Sequence, residues 1–100
     1  MALELEQDFE YKGKDWWEWS VWVDGSEQEL DQIDYVEYTL HSTFPKPVQK
    51  IDDRRSRFRL HASGWGMFTI YAKIVHKDGK HTLREHFLDL SYPDGHTAPA

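Results

Sequence analysis

Cysteine is absent from the 100 residues, glycine holds only six positions and proline four, and no apolar run comes near the length of a bilayer. Without cysteine there is neither a disulfide framework nor a thiolate zinc site, which is consistent with a reducing compartment. A membrane-spanning helix needs about 20 mostly apolar residues in succession. The opening "MALELEQDFE" has neither the basic start nor the apolar stretch of a leader. The expectation is a soluble, cytoplasmic chain with no membrane contact within it. The sequence also lacks a G-x-S-x-G elbow, a phosphate loop and an H-E-x-x-H pair. No enzyme and no cofactor is therefore expected.

What is present is aromatic. Trp, Tyr and Phe make up 15% of the chain while all hydrophobic residues together reach only 39%, so the core should be built from large rings on short strands. The length suits a single core. The net charge of −6 is unevenly placed, with twelve acids against two lysines from Met1 to Thr43 and ten bases against six acids from Phe44 to Ala100. An acidic balance disfavours nucleic acid as a partner. The one basic cluster, Lys46, Lys50, Arg54, Arg55, Arg57 and Arg59, is interrupted by Asp52 and Asp53 and reads as a solvated face.

The dominant pattern has period two. Leu3, Leu5, Phe9 and Tyr11 alternate with acids, and Trp17, Trp19, Val21 and Val23 alternate with Trp16, Glu18, Ser20 and Trp22. Ser26 with Glu29 three residues later predicts a single capped helical turn. The apolar parity changes between Tyr35 and Val36, and again between Leu83 and Leu88, which predicts a β-bulge at each place. Phe58 and Leu60 mark a short strand, and Phe68, Ile70, Ala72 and Ile74 the inward side of a longer one. Asp78-Gly79 predicts a tight hairpin. Seven to eight short strands with turns between them indicate an all-β, immunoglobulin-like antiparallel sandwich. Trp19, Val21, Tyr38, Leu40, Phe58 and Ile70 are expected in its core. The domain should span residues 1–92, with a loose tail over 93–100.

The histidines carry little chemistry on sequence alone. A two-residue Asp-Gly turn would set His76 opposite His81 on one sheet face, but two ligands do not make a structural zinc site and no metal is expected. His61, His86 and His96 carry no signature. His41 stands beside Ser42 and Thr43 without an orienting acid, so hydrolytic chemistry is not expected either.

Two stretches concentrate unusual residues. "LHSTFPKP", Leu40 to Pro47, puts a histidine, a hydroxyl and a ring just before two prolines that restrict the backbone. "ASGWGMF", Ala62 to Phe68, sets Trp65 between Gly64 and Gly66, a composition that allows close backbone approach while displaying a large ring. Both fall at the ends of strands, where sandwiches bind things. Together with the upstream "WEWSVWV" and the final "HFLDL", they resemble the YEATS domain, and the Trp-rich form is similar to its prokaryotic branch. The likeness runs from about Trp16 to Leu90.

The resemblance implies an immunoglobulin-like sandwich and, as in eukaryotic members, recognition by this domain of acetyl- or crotonyl-lysine carried on a protein or peptide partner. Carried over by motif, the ligand-binding residues are His41, Thr43, Phe44, Trp65, Gly66 and Phe68. The loop before the first core tryptophan normally offers another aromatic; Asp15 stands nearest that position here, with Trp16 beside it, and Trp16 joins the set. Met67 replaces a glycine of the histone readers. A flat acyl amide could stack between Phe44 and Trp65, whereas an unmodified ammonium would lose water without gaining a carboxylate. Three other readings remain open on the residues themselves: a methyl-lysine cage, ring packing at the sandwich rim, and an interaction or structural domain of a bacterial signalling protein that binds no acyl-lysine. Nothing in the sequence bears on oligomeric state.

Overall fold

Apolar alternation becomes seven strands in the computed structural model, which describes residues Leu3 to Pro99. In chain order they are β1 (Glu4–Gly13), β2 (Trp16–Asp24), β3 (Ile33–Thr39), β4 (Val48–Ile51), β5 (Leu60–Gly64), β6 (Thr69–His76) and β7 (His81–Phe87). A five-residue helix, α1 (Glu27–Asp31), follows β2, and a single 3₁₀ turn, Arg54–Ser56, precedes β5. One sheet has the order β1-β2-β5 and the other β4-β3-β6-β7, with every pairing antiparallel. The chain is therefore an immunoglobulin-like antiparallel sandwich.

The core lies between the sheets. Trp17, Trp19, Val21 and Val23 of β2 face Val36 and Tyr38 of β3 and Ile70, Ala72 and Ile74 of β6, all buried. Trp19, Val21, Tyr38, Leu40, Phe58 and Ile70 are buried as their positions predict. Two of these rings have their polar atoms satisfied where the chain crosses between elements, whereas the buried Trp19 indole N–H has no hydrogen-bond partner among the described residues. Tyr38 donates its hydroxyl to the Phe58 carbonyl at 2.6 Å, and Trp17 donates Nε1–H to the Ser91 carbonyl at 2.8 Å. Burial drives the Tyr38 phenol well above its ordinary pKa.

Register departs from the sequence expectations in instructive places. The bulge in β3 sits one residue earlier than the parity suggests, between Ile33 and Tyr35, and lets Ile33 and Val36 share one buried face. The Asp78-Gly79 hairpin has a three-residue loop, Lys77 to Gly79, rather than two. His76 N–H donates to the Lys80 carbonyl and Gly79 takes a φ of +90°, so His81 pairs with Val75. This one-residue change puts His76 and His81 on opposite faces.

The bulge expected before Leu88 is absent: β7 pairs with β6 without interruption, and Leu83 and Phe87 point outward. Its inward residues are polar because β7 is an edge strand facing the edge strand β1. Arg84 Nε–H donates to the Leu3 carbonyl at 2.7 Å, and His86 bonds the Gln7 carbonyl oxygen Oε1 at 2.6 Å. The Gln7 amide also takes the backbone N–H and C=O of Asp89, each at 2.8 Å, and so joins the two edges. Phe9 shares the inward face of Trp19 but lies on that same edge and is 40% exposed.

The tail differs most. Residues 93–99, expected to be loose, form a small hairpin with residues 91 and 92, in which Ser91 bridges Thr97 and Tyr92 N–H donates to the His96 carbonyl at 2.7 Å. Ala98 is buried, and its N–H donates to the Leu90 carbonyl at 3.0 Å. Short polar and proline-rich composition hid these long-range bonds. Ala100 lies outside the described residues.

Candidate functional site

Strand direction brings four segments to one end of the sandwich: the β1–β2 turn, residues 40–47 after β3, residues 65–68 after β5, and residues 88–99 after β7. Residues 40–47 leave β3 through a bond from Leu40 N–H to the Pro47 carbonyl and a turn in which Phe44 N–H donates to the His41 carbonyl at 3.0 Å. The prolines hold this loop in a shape no strand continues. Phe44 is thereby turned back over the core. Its ring lies edge-on to Trp19, with centroids 6.3 Å apart, and 5.3 Å from Phe68. Phe68 in turn lies 5.8 Å from Trp19 and 6.3 Å from His41.

These rings do not fill the end of the sandwich. They leave a cavity of about 400 Å³ lined by Trp16, His41, Thr43, Phe44, Pro45, Ser63, Gly64, Trp65, Gly66, Met67 and Phe68. All seven positions proposed from sequence line this one cavity, although they come from three segments far apart in the chain. Pro45, Ser63, Gly64 and Met67 were not in that set. All four lie inside the two quoted motifs, and Ser63, directly before Gly64, reaches the cavity as the last polar side chain of β5. Asp15 does not line the cavity; Trp16 does. A Cβ on Gly64 would meet the Phe44 ring only at an ordinary contact distance of 3.8 Å, so Phe44 packs over Gly64 without requiring a glycine there.

The walls are of two kinds. Phe44, Phe68 and the exposed indoles of Trp16 and Trp65 are apolar, with Trp65 56% exposed. The polar rim is a local unit: His41 Nδ1 accepts the Thr43 N–H at 3.2 Å and bonds the Thr43 hydroxyl at 3.0 Å. Accepting the backbone N–H requires an unprotonated Nδ1, so the hydroxyl donates to it as well and the ring proton sits on Nε2. The Thr43 oxygen keeps its lone pairs as acceptors. Among the described residues, no hydrogen bond within the protein takes up the backbone N–H of Trp65 or of Gly66. No Asp or Glu lines the cavity. Among the described residues there is no cluster of three or more potential metal ligands, and no helix is long and apolar enough to cross a membrane.

Comparisons with known proteins bear directly on this arrangement. The family model described as the prokaryotic YEATS domain matches residues 17–89. Solved structures of the yeast protein Yaf9 share the fold. Its YEATS domain recognising an H3K122suc peptide is 26% identical, with a TM-score of 0.64 over 86% of this chain and 67% of that one. The Yaf9 domain bound to H3K27ac is 24% identical, with a TM-score of 0.69 over 91% and 75%. Yaf9 described as the yeast AF-9 homolog is 25% identical, with a TM-score of 0.69 over 90% and 66%. A comparison with curated protein sequences finds no match. With its sandwich, its two end loops and a family match over most of its length, the chain belongs to the prokaryotic YEATS domain family.

Proposed function

We propose that this domain is a non-enzymatic reader whose end cavity takes the acylated side chain of a lysine in a protein or peptide partner. The observation that carries the reading is the cavity's composition: aromatic walls, the hydroxyls of Thr43 and Ser63, the backbone N–H groups of Trp65 and Gly66, and no carboxylate among its lining residues. A neutral planar amide fits that set. Its carbonyl would accept from the backbone N–H of Trp65 or Gly66, its N–H would donate to the Thr43 oxygen, and its acyl plane would lie among Phe44, Trp65 and Phe68. His41 fixes Thr43 through the two bonds to Nδ1. Trp16 closes the mouth from the β2 side.

Cations are treated differently by the same walls. An unmodified ammonium would give up water and meet no counter-charge, which costs several kcal/mol, about the range for burying an unpaired polar or charged group. A methylated ammonium could use the rings, but it offers no acceptor for the unbonded backbone N–H groups of Trp65 and Gly66. Yaf9 recognises an H3K122suc peptide in one structure and is bound to H3K27ac in another, which supports acyl-lysine as the ligand class. The test is an amide-resolved NMR titration with acetyl- or crotonyl-lysine peptides against the unmodified peptide. Acylated peptides should shift the amides of Thr43, Trp65 and Gly66, and unmodified peptide should leave them in place. No shift from any of them would remove the reader function and leave an interaction or structural module.

A further inference from the structure

The family match covers residues 17–89, and the segments just outside it meet at the cavity. The hairpin over residues 91–99 is seated on the core. Ser91 accepts the Trp17 indole N–H, and the Tyr92 ring packs edge-on against Trp17 and Tyr11, with centroids 4.8 and 5.4 Å away. From this seat two contacts reach toward the two tryptophan walls.

One contact goes to the β1–β2 turn. Gly13, Lys14 and Asp15 there have φ values of 90°, 55° and 59°, a left-handed run that only glycine adopts without strain. Asp15 is held at both ends: its N–H donates to the Tyr11 hydroxyl at 3.2 Å, and its Oδ1 accepts the Tyr92 hydroxyl at 2.6 Å. That bond to Asp15 pushes the Tyr92 phenol up to about 12. The next residue is Trp16. The other contact goes to the loop after β5. The Pro99 carbonyl accepts the Met67 N–H at 2.6 Å and lies 2.8 Å from where a Cβ on Gly66 would sit, nearer than a side chain tolerates. Gly66 adjoins Trp65.

We propose that the C-terminal hairpin is a strut that sets the gap between Trp16 and Trp65, with Tyr92 and Pro99 as positioning residues for the two walls. Neither residue lines the cavity. Walls held before a ligand arrives need no ordering when it binds, which is the physical advantage of a strut. Only the binding consequence rests on the acyl-lysine reading; the wall geometry itself is measurable in the ligand-free protein.

The test compares Tyr92→Phe, which keeps the ring packing and removes the hydroxyl, with Ala98→Asp, which cannot stay buried and so unseats the Pro99 end. Indole N–H signals of Trp16 and Trp65 and the amide exchange of Met67 are read without ligand, and the Trp17 indole reports whether the hairpin is still seated. Tyr92→Phe should move the Trp16 signal alone. Ala98→Asp should move the Trp65 signal and speed Met67 exchange by about tenfold, as expected for one lost hydrogen bond. Each should weaken a crotonyl-lysine peptide by about three- to tenfold. Unchanged Trp16 and Trp65 signals in both variants, with Trp17 in place, would overturn the strut. If Ala98→Asp disperses the Trp17 signal, Gly66→Ala decides the Pro99 contact: it must shift Trp65 and expose the Met67 amide, or that half of the proposal fails. Wild-type protein that binds no acylated peptide would overturn the reader function while the free-protein signals still judge the strut.

Discussion

At the end where β2 runs into α1, Leu30 drops fully buried between the sheets, held by a helical turn that Ser26 and Glu29 cap reciprocally. Arg54 ties that turn to the 3₁₀ segment by bonding Glu27 and Asp31. At the other end the gap is met by Phe44 and Phe68, which stop short and leave the cavity. The sheets and the aromatic core are common to both ends. What differs is the closure: an aliphatic plug on a capped turn seals one end, while rings on loops shaped by proline and glycine line an opening at the other. The sealed end should govern stability and the open end binding, and the two should respond to mutation separately.

The largest effect should come from removing the plug. Leu30→Ala should lower unfolding free energy by about 2–5 kcal/mol in urea denaturation, the range for deleting a fully buried leucine, while peptide binding by the folded fraction stays unchanged. Truncation at the open end should do the reverse. Trp65→Ala should weaken an acyl-lysine peptide by about tenfold or more, roughly 1.4 kcal/mol, as measured by calorimetry, with the melting temperature unmoved because the ring is half in solvent. A smaller loss should follow at the sealed end from Ser26→Ala, about 1 kcal/mol by thermal melting, through loss of the cap. If either stability variant abolished binding by folded protein, the separation of the two ends would fail.

The smallest effect concerns the polar seam between the edge strands. Burial lowers the pKa of His86 below its ordinary 6.5, against the opposing pull of Glu6 and Asp89. Between the folded value and 6.5 the unfolded chain binds more protons than the folded one, so stability should fall as pH drops through 6.5 and level off below the folded pKa. His86→Gln should flatten that slope in melts taken from pH 8 to about pH 5, the range around an ordinary histidine pKa.

Several of these features were legible before folding and several were not. Ser26 and Glu29 state their capping box in sequence because both partners are local. Trp19, Val21 and Tyr38 were readable as core because alternation reports which face a residue takes. Leu83 marks the limit of the same reasoning: its apolar side chain points outward on an edge strand, and the inward positions Arg84 and His86 are polar because Leu3 and Gln7 offer them hydrogen-bond partners. The Asp78-Gly79 turn was recognised but its loop length was not, since Gly79 serves a two- or a three-residue loop equally well.

By itself, then, the sequence determined the class of fold, most of the buried rings and the two motifs that carry the family likeness, because each depends on alternation, turn chemistry or a contiguous run. The tertiary structure alone decided that the end opposite Leu30 stays open and that the polar tail folds back to place Tyr92 against Asp15 and Pro99 against Gly66. Those outcomes rest on contacts between residues up to 77 positions apart. No local pattern encodes such contacts, because the partners meet only when the strands between them have set direction and register.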